Sequence, residues 1–181
     1  MRITIITGSG HKESASAFLA DEFERGARKN GHAVFRFNAA VEKINPCVGC
    51  NCCRNTNSCI YNDSFSILAE ELLLSDVIVW ATPVYYMTMT AQLKAVIDRM
   101  YQLETQPQFM SKKKYILLAT AWYNNKSVFD VLSDTFESFC GFLNWEKSGE
   151  VLAYGVNTKS DLYKSDYLEQ AYCLGQNLVE S

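Results

Sequence analysis

A hydroxyl-rich loop near the start of the chain has the residue types that bind a phosphate. It runs from Gly8 to Ser14, between a β-branched stretch at 3–7 and a segment whose apolar residues recur at helical spacing. The first N–H groups of a helix have no partner inside it, and its dipole favours an anion there. Small residues also let a phosphate come close. The loop therefore predicts a phosphate site, with Lys12 as its one candidate cation.

The common nucleotide-binding motifs do not fit this loop. A P-loop ends in Gly-Lys-Ser/Thr, whereas Lys12 is followed by Glu13. A dinucleotide fingerprint needs glycine where Glu13 stands. The interpretation that remains is the terminal phosphate of a mononucleotide, held without a metal; an ordinary strand-to-helix turn with Ser14 as N-cap is the alternative. The hydroxyl donors would be Thr7, Ser9, Ser14 and Ser16.

Five of the seven cysteines lie between Cys47 and Cys59. Four of them have the spacing Cys-x2-Cys-x2-Cys-x5-Cys, which is similar to the compact ligand run of ferredoxins and suits one [4Fe–4S] cluster. Structural zinc sites usually separate two cysteine pairs by about a dozen residues or more, which makes zinc the weaker alternative. Free thiols in a flexible loop are the third interpretation. The candidate ligands are Cys47, Cys50, Cys53 and Cys59, and Cys52 lies outside the pattern.

Composition and charge narrow the class of protein. The 181 residues, 48% of them hydrophobic, predict a single globular domain over 1–181. Seventeen basic against twenty acidic residues leave no excess charge for nucleic acid or an anionic membrane. No apolar run is long enough to span a bilayer, and no signal peptide opens the chain, so we expect a cytoplasmic protein. Disulfides are not expected in that compartment, and Cys140 and Cys173 are predicted to be buried in helices.

Strand and helix signals alternate along the chain. The predicted strands lie at 3–7, 32–38, 76–82, 115–120 and 150–155, and each is followed by a helical pattern. The last two helices are predicted to end near Gly141 and to run from about Asp161 to Leu178. A cysteine-rich loop without a clear period, 39–63, is inserted after the second strand. The basic run 112–114 is predicted to be a solvated turn.

This alternation predicts an α/β fold of the flavodoxin-like, three-layer type. It has a five-stranded parallel sheet of order 2-1-3-4-5 with helices on both faces. Ligands of such sheets bind where the strand order reverses, at the carboxyl ends of strands 1 and 3. The loops Gly8–Ser16 and Pro83–Met87 leave those two strands. The pattern thus predicts that these loops meet at a ligand site.

Further blocks of sequence carry a family resemblance. They are Asp76-Val-Ile-Val, Thr82-Pro83-Val84-Tyr85-Tyr86 and Met89-x-Ala91-x-Leu93-Lys94-x3-Asp98-Arg99. Together with Gly8-Ser9, the serines of the first loop and the cysteine spacing, they resemble the NADPH-dependent FMN reductase family and, within it, the iron–sulfur flavoproteins. The resemblance covers roughly the first hundred residues. It departs at Ser9-Gly10-His11, where relatives often have Ser-Pro-Arg.

The resemblance implies a bound FMN. Its phosphate would lie in Ser9–Ser16, the backbone of Pro83–Met87 would line the isoalloxazine, and Trp122–Asn124 would close the other side of the ring. The flavin carries the redox chemistry, so no catalytic side chain is expected; Lys94 and Asp98, followed by Arg99, predict a surface ion pair. The predicted FMN-binding residues are Ser9, His11, Lys12, Ser14, Ala15, Ser16, Thr82, Pro83, Val84, Tyr85, Tyr86, Met87, Thr120, Ala121, Trp122, Tyr123 and Asn124.

The function implied by the resemblance is that of an FMN-dependent oxidoreductase. It would pass electrons from NAD(P)H, bound transiently over the flavin, to a flavin, a quinone or another small acceptor. If the cluster forms, the alternative is an iron–sulfur flavoprotein that exchanges electrons with a ferredoxin-like partner. A non-enzymatic thiol or metal sensor on the same scaffold is the second alternative. The relatives and the aromatic residues of the long loops favour a homodimer or homotetramer.

Overall fold

Five parallel strands form one sheet in the computed structural model, which describes residues 1–179. Their order, β2-β1-β3-β4-β5, confirms the predicted topology. The central strand β3 is buried on both faces, and the edge strand β2 is half exposed, as predicted. The last two residues of the predicted domain, 180–181, lie outside the described residues. The strands are β1 Arg2–Thr7, β2 Ala33–Asn38, β3 Val77–Pro83, β4 Lys113–Thr120 and β5 Trp145–Ala153.

Helices cover both faces of the sheet, which confirms the three-layer architecture. Helices α3, α4 and α5 pack on one face, and α1, α6 and α7 pack on the other. Within residues 1–179, no helix is long and apolar enough to cross a membrane. The helices are α1 Ala15–Lys29, α2 Cys52–Thr56, α3 Phe65–Leu74, α4 Ala91–Arg99, α5 Asp130–Phe142, α6 Lys159–Tyr163 and α7 Tyr167–Gln176, and the 3₁₀ turns are Met100–Leu103 and Lys126–Phe129.

The alternation of side chains along β3 explains why it occupies the centre of the sheet. Ile78 and Trp80 are buried against α3–α5, whereas Val77 and Val79 are buried against α1 and α7. Successive residues of a strand point to opposite faces, so a continuous apolar run suits a strand that is covered on both sides. The carboxyl end of β3 is thereby fixed between those of β1 and β4, where its loop must emerge.

Two glycines set the distance between α1 and α7. A Cβ atom on Gly26 would lie 2.1 Å from the carbonyl oxygen of Tyr172, and one on Gly175 would lie 2.2 Å from that of Phe23. Both contacts are with backbone, which cannot rotate away as a side chain does. The helices therefore pack at this distance only because both positions lack a side chain.

We expect Gly26→Ala and Gly175→Ala each to lower the free energy of unfolding by about 1–3 kcal/mol, because overpacking forces the two helices apart. Gly141→Ala is the matched control, since Gly141 lies in α5 with open space around its Cβ position. There the higher helix propensity of alanine should stabilise the protein by up to about 1 kcal/mol. Urea unfolding followed by circular dichroism measures all three. Equal effects at the three positions would contradict the close-packing argument.

Three predictions of secondary structure are wrong. Strand β5 begins at Trp145, five residues before the predicted start at 150, and Trp145 is anchored by donating its indole N–H to the carbonyl of Phe109 at 3.2 Å. The single last helix is two helices, because a capping box of Thr158 and Asp161 starts α6 and the chain turns before α7. The cysteine-rich segment 39–63 also contains a short helix, α2.

Two predictions of burial are also wrong. Lys113, placed in a solvated turn by the sequence, is buried and donates from Nζ to the carbonyl of Ser75 at 2.6 Å. This burial lowers the pKa of the Lys113 amine. Cys140 is fully buried as predicted, whereas Cys173 is half buried with its thiol 3.3 Å from the carboxylate of Glu169.

Candidate functional site

A cavity of about 490 Å³ lies at the carboxyl ends of β1, β3 and β4. The loop Gly8–Ser16 forms one part of its wall, and the loops that follow β3 and β4 form the rest. The structure thus brings together the loops that the predicted strand order places at this edge. The lining residues are Ser9, His11, Lys12, Glu13, Ser14, Ala15, Pro83, Val84, Tyr85, Thr120, Ala121, Trp122, Val156 and Asn157.

The hydroxyl-rich loop opens directly onto the N-terminus of α1. Ser14 precedes the helix with an extended backbone, and its Oγ lies 2.9 Å from the Oγ of Ser16 instead of capping the helix. The N–H of His11 donates to the Oγ of Ser9 at 3.3 Å. The first N–H groups of α1 have no acceptor inside the helix and lie at its positive end. An anion in the cavity would find both kinds of donor.

The loop is held from behind by α4. The hydroxyl of Thr90, the N-cap of α4, donates to the carbonyl of Gly8 at 2.7 Å and accepts from the N–H of Leu93. A Cβ on Gly8 would lie 2.7 Å from that hydroxyl and 2.9 Å from the Cβ of Leu93. Glycine is therefore required at position 8 for this close approach. The position of the loop depends on the start of α4.

Three residues of the cavity wall were missed from the sequence. Val156 and Asn157 follow β5, and since all five strands are parallel, their carboxyl ends meet at one edge. The predicted parallel sheet could therefore have placed the residues after β5 at this edge of the sheet. Glu13 also lines the cavity beside Lys12, so the two side chains bring opposite charges to the same wall. A phosphate would therefore be bound mainly by the N-terminus of α1 and by the neutral hydrogen-bond donors of the loop.

A second, apolar cavity of about 500 Å³ adjoins the first. Val84, Tyr85, Ala121 and Trp122 line both cavities, and the second one is completed by Tyr86, Met87, Tyr123 and Val128. The rings of Trp122 and Tyr123 meet edge to face with centroids 6.0 Å apart. Large aromatic side chains that remain exposed beside a cavity are suited to stack on a flat ring.

The turn after β3 holds two residues in the left-handed backbone region. Tyr86 has a φ of 47° and Met87 a φ of 67°, while Tyr85 and Thr88 exchange two backbone hydrogen bonds across the turn. Bulky residues rarely adopt this conformation, and such strain concentrates at ligand sites. The turn directs the side chains of Tyr86 and Met87 to the wall of the apolar cavity.

Three predicted FMN-binding residues line neither cavity. Ser16 and Thr82 are fully buried, Ser16 beside Ser14 and Thr82 below Thr90, to whose N–H its hydroxyl lies at 3.3 Å. Asn124 lies beside Gly155, at the turn after β5. Their roles in binding remain predictions, and the first two are placed to support the loops from behind.

The four candidate cluster ligands surround one small cavity. Cys47, Cys50, Cys53 and Cys59 all line a space of about 20 Å³. Left-handed residues at Gly49, Asn51 and Asn57, with φ of 67°, 59° and 55°, fold the segment around it. Among residues 1–179, no group of three or more Cys, His, Asp or Glu side chains is arranged as a metal site.

The thiols of this segment interact with one another. A hydrogen bond from the backbone N–H of Cys52 lowers the pKa of the Cys50 thiol, and the hydrogen bond between the two side chains raises the pKa of Cys52. Cys52 itself is absent from the wall of the small cavity. The sequence pattern, which excluded Cys52, and the cavity thus select the same four thiols.

Arg99 fastens both ends of the cysteine segment to α4. Its Nη1 donates to the carbonyl of Asn45 at 2.9 Å and to the carboxylate of Asp63 at 2.8 Å, and its Nη2 donates to the same carboxylate at 3.1 Å. The side chains of Arg99 and Asp63 are only 2% and 3% exposed. Lys94 and Asp98 form the exposed ion pair that was predicted, at 2.5 Å. The burial of Arg99, the residue that follows them, was not predicted from the sequence.

The protonation of Asp63 gives a prediction for acid stability. Burial by itself raises the pKa of this carboxyl, but the hydrogen bonds from Arg99 and Asn45 outweigh burial and lower it from 3.8 to about 2. Because the folded pKa is depressed, the stabilisation is present above about pH 4 and is lost as the pH falls toward 2. We expect this group to contribute about 2–3 kcal/mol to that loss.

The measurement is the free energy of urea unfolding between pH 5 and pH 2, roughly the window in which such carboxylates titrate. The wild-type curve should fall more steeply than that of Asp63→Asn, which cannot titrate at this position. Parallel curves for the two proteins would show that Asp63 has an ordinary pKa.

Comparison with known proteins shows the family of this chain. The sequence model of the NADPH-dependent FMN reductase family matches residues 1–152. The chain belongs to this family. The resemblance inferred from the sequence is thereby confirmed for the FMN reductase family. An iron–sulfur flavoprotein of Archaeoglobus fulgidus is 31% identical over 112 residues, which are 62% of this chain and 51% of that relative. The match thus spans about half the length of the relative.

Solved structures support the fold of this FMN reductase family member. The NAD(P)H:quinone oxidoreductase from Methanothermobacter marburgensis has a TM-score of 0.81 at 14% identity, covering 100% of this chain and 97% of that one. An FMN-dependent NADH-azoreductase from Bacillus anthracis, in complex with FMN, has a TM-score of 0.75 at 11% identity, covering 99% and 100%. At these identities the likeness concerns the fold alone.

Proposed function

We propose that the chain binds FMN in the 490 Å³ cavity and passes electrons from NAD(P)H to a small acceptor such as a flavin or a quinone. The observation that carries this proposal is the joint presence, in one cavity, of an anion-binding helix start and two aromatic loops. A mononucleotide with a flat ring requires an anion site for its phosphate and an aromatic surface for its ring. The family membership of the chain agrees with both.

Different residues would bind the phosphate and the ring of FMN. The N-terminus of α1, with Ser9, Ser14 and Lys12, would hold the phosphate. Tyr85 and Trp122, which border both cavities, would flank the ring and keep water from it. The adjoining apolar cavity would receive the nicotinamide of NAD(P)H or the acceptor in turn. When bound, FMN itself supplies the electron chemistry, so no side chain needs to act as an acid or a base.

Titration of the apo-protein with FMN, followed by flavin fluorescence, tests the binding site. Steady-state oxidation of NADH and NADPH, with free FMN or a quinone as acceptor, then tests the activity. Saturable binding of one FMN per chain together with turnover would support the proposal. A chain that takes up no FMN would overturn it. FMN binding without turnover on either nicotinamide, but with turnover on reduced ferredoxin, would favour the second candidate.

The second candidate is an iron–sulfur flavoprotein that exchanges electrons with a ferredoxin-like partner. Its support is the small cavity that all four pattern cysteines share. Cys47, Cys50, Cys53 and Cys59 would hold the cluster, and four thiols suit a [4Fe–4S] group in number and kind. Helix α4 starts behind the phosphate loop and ends at this cavity, so it connects the two sites directly.

A visible spectrum of protein purified without oxygen, with iron and sulfide analysis, tests this candidate. Flavin bands over a broad absorbance that bleaches with reductant would support it. Cys53→Ser should then lose most of the iron, whereas Cys52→Ser, the control within the same segment, should keep it. A protein with flavin and no iron would remain a flavin reductase. One zinc per chain without flavin would instead point to a thiol or metal sensor.

A homodimer or homotetramer is proposed from the exposed apolar side chains around the second cavity. Tyr86, Met87 and Trp122 are each more than half exposed, in one cluster beside the proposed ring site. Exposed apolar clusters of this kind are frequent at protein interfaces. Light scattering of the purified protein gives the mass in solution, and a monomer at all concentrations would contradict the proposal.

A further inference from the structure

The cavity between the four pattern cysteines is too small for an iron–sulfur cluster in the fold seen here. Its volume is about 20 Å³. One water molecule needs roughly 10–15 Å³ of such space, whereas a [4Fe–4S] group is a cube of four irons and four sulfurs. Among residues 1–179, no group of three or more Cys, His, Asp or Glu side chains is arranged as a metal site. Cluster binding would therefore require the segment to open, and in the closed fold its cysteines are free thiols.

Two thiols of this segment, those of Cys50 and Cys52, contact each other directly. Their side chains are hydrogen-bonded to each other, and the backbone N–H of Cys52 also donates to the thiol of Cys50. Cys50 is exposed and Cys52 is half buried, so both can be reached from solvent. Cys52 lies outside the wall of the small cavity. The cysteine that a cluster would not use is thus the one that contacts Cys50.

The backbone between the two thiols suits a disulfide. Bridged cysteines usually have Cα atoms about 4.4–6.8 Å apart, and residues two apart along a chain are separated by no more than about 7 Å. Asn51, which lies between them, has a φ of 59° in the left-handed region and bends the chain. Asparagine adopts this region more readily than most residues do. The adjacent pair Cys52 and Cys53 is less suitable, because neighbouring Cα atoms are only about 3.8 Å apart.

The bend at Asn51 is held by contacts with the turn that follows α4. Tyr101 donates its hydroxyl to the Oδ1 of Asn51 at 3.1 Å. The guanidinium of Arg54 lies 3.8 Å from the centre of the Tyr101 ring and pairs with Glu104 at 2.6 Å. These contacts keep the two thiols close before any oxidant arrives, which reduces the conformational entropy that is lost when a disulfide closes.

We infer that Cys50 and Cys52 form a thiol–disulfide exchange site that is oxidised by small-molecule disulfides. The thiolate of Cys50, the more exposed of the two, attacks one sulfur of the small disulfide, whose S–S bond breaks and releases a first small thiol. The thiolate of Cys52 then attacks the sulfur of Cys50 and releases the second small thiol. Each attacking thiol gives its proton to solvent, and each leaving thiolate takes one up. The chain loses two electrons and two protons, and the small disulfide gains them.

The test uses the full chain, reduced and then freed of reductant without oxygen, with bis-hydroxyethyl disulfide as a small neutral probe. Intact mass and peptide mapping count the thiols and locate each disulfide. The wild type should lose two thiols to a disulfide between Cys50 and Cys52 and should carry no adduct. Cys52→Ser should stop at a stable adduct on Cys50. Cys50→Ser should react about tenfold more slowly or less, because a serine hydroxyl cannot replace the thiolate as nucleophile.

Cys53→Ser is the matched control. Cys53 follows Cys52 directly in the chain and is also half buried. This variant should form the disulfide between Cys50 and Cys52 as the wild type does. The iron–sulfur candidate predicts the reverse order of effects, since Cys53 is a ligand there and Cys52 is not. The same two variants therefore distinguish the two assignments of the thiols.

Iron content, circular dichroism and FMN affinity, measured on each protein, separate this inference from the proposed function. A disulfide that is lost in Cys52→Ser and kept in Cys53→Ser supports the inference. A wild-type disulfide between another pair, or none at all, overturns it, and so does a wild type purified with a cluster, which supports the iron–sulfur candidate instead. If Cys52→Ser does not fold, the disulfide mapped in the wild type decides. A wild type that forms this disulfide but binds no FMN would overturn the proposed function alone.

Discussion

Exchange of Ser14 for aspartate is expected to weaken FMN binding by about a hundredfold or more. The negative carboxylate would lie next to the negative phosphate and repel it. Ser14 lines the cavity at the N-terminus of α1, and its hydroxyl is a candidate phosphate donor. A lost hydrogen bond to a charged group costs about 1.5–3 kcal/mol, and repulsion adds to that loss. The carboxylate would also occupy the helix N-terminus itself and so compete with the phosphate for it.

The fold should tolerate this substitution. Aspartate is among the favoured N-cap residues, and its charge stabilises the helix dipole. Ser14→Asn is the matched control, because asparagine has nearly the same shape as aspartate and is also a favoured N-cap residue, but it carries no charge. Fluorescence titration gives both affinities, and urea unfolding gives both stabilities. We expect Ser14→Asn to bind FMN at least tenfold more tightly than Ser14→Asp. A tenfold difference corresponds to a repulsion of about 1.4 kcal/mol between the introduced carboxylate and the phosphate. Equal affinities would place the phosphate elsewhere.

Replacement of Arg99 by methionine is expected to lower the free energy of unfolding by about 3–5 kcal/mol, the usual cost of breaking a buried ion pair by removing one partner. The carboxylate of Asp63 would remain buried at 3% exposure with its main partner lost. The carbonyl of Asn45 would lose its donor as well. Both ends of the cysteine segment would thus be released, and the thiols of Cys47 and Cys59 should react faster with an alkylating reagent.

Arg54→Met is the control for this experiment. Arg54 lies in the same segment and pairs with Glu104 at 2.6 Å, but its side chain is 32% exposed. Ion pairs that remain partly in solvent contribute about 0–1 kcal/mol, so this variant should lose much less stability than Arg99→Met. A loss of similar size in the two variants would mean that the burial of Arg99 has no energetic consequence.

Much of the fold was predictable because local patterns report burial. The apolar run of β3 and the alternation in β2 identified a central and an edge strand. Five β-α units in a chain of this length suggested the strand order that the sheet has. The boundaries of β5 were less predictable, because its first residues are polar on one side and its register is set by Trp145 and a bulge opposite Tyr115. Neither feature has a period that a sequence reveals.

The fold class, the family and the meeting of the loops after β1 and β3 could all be predicted from the sequence. These follow from periodicity and motif, which are properties of neighbouring residues. The burial of Arg99 against Asp63, 36 residues away, and the position of Asn157 at the cavity depend on contacts between distant parts of the chain. Charged residues next to each other on a helix look alike in a sequence, and which of them is buried depends on what packs over that face of the helix. Here the cysteine segment covers Arg99 and leaves Lys94 and Asp98 in solvent.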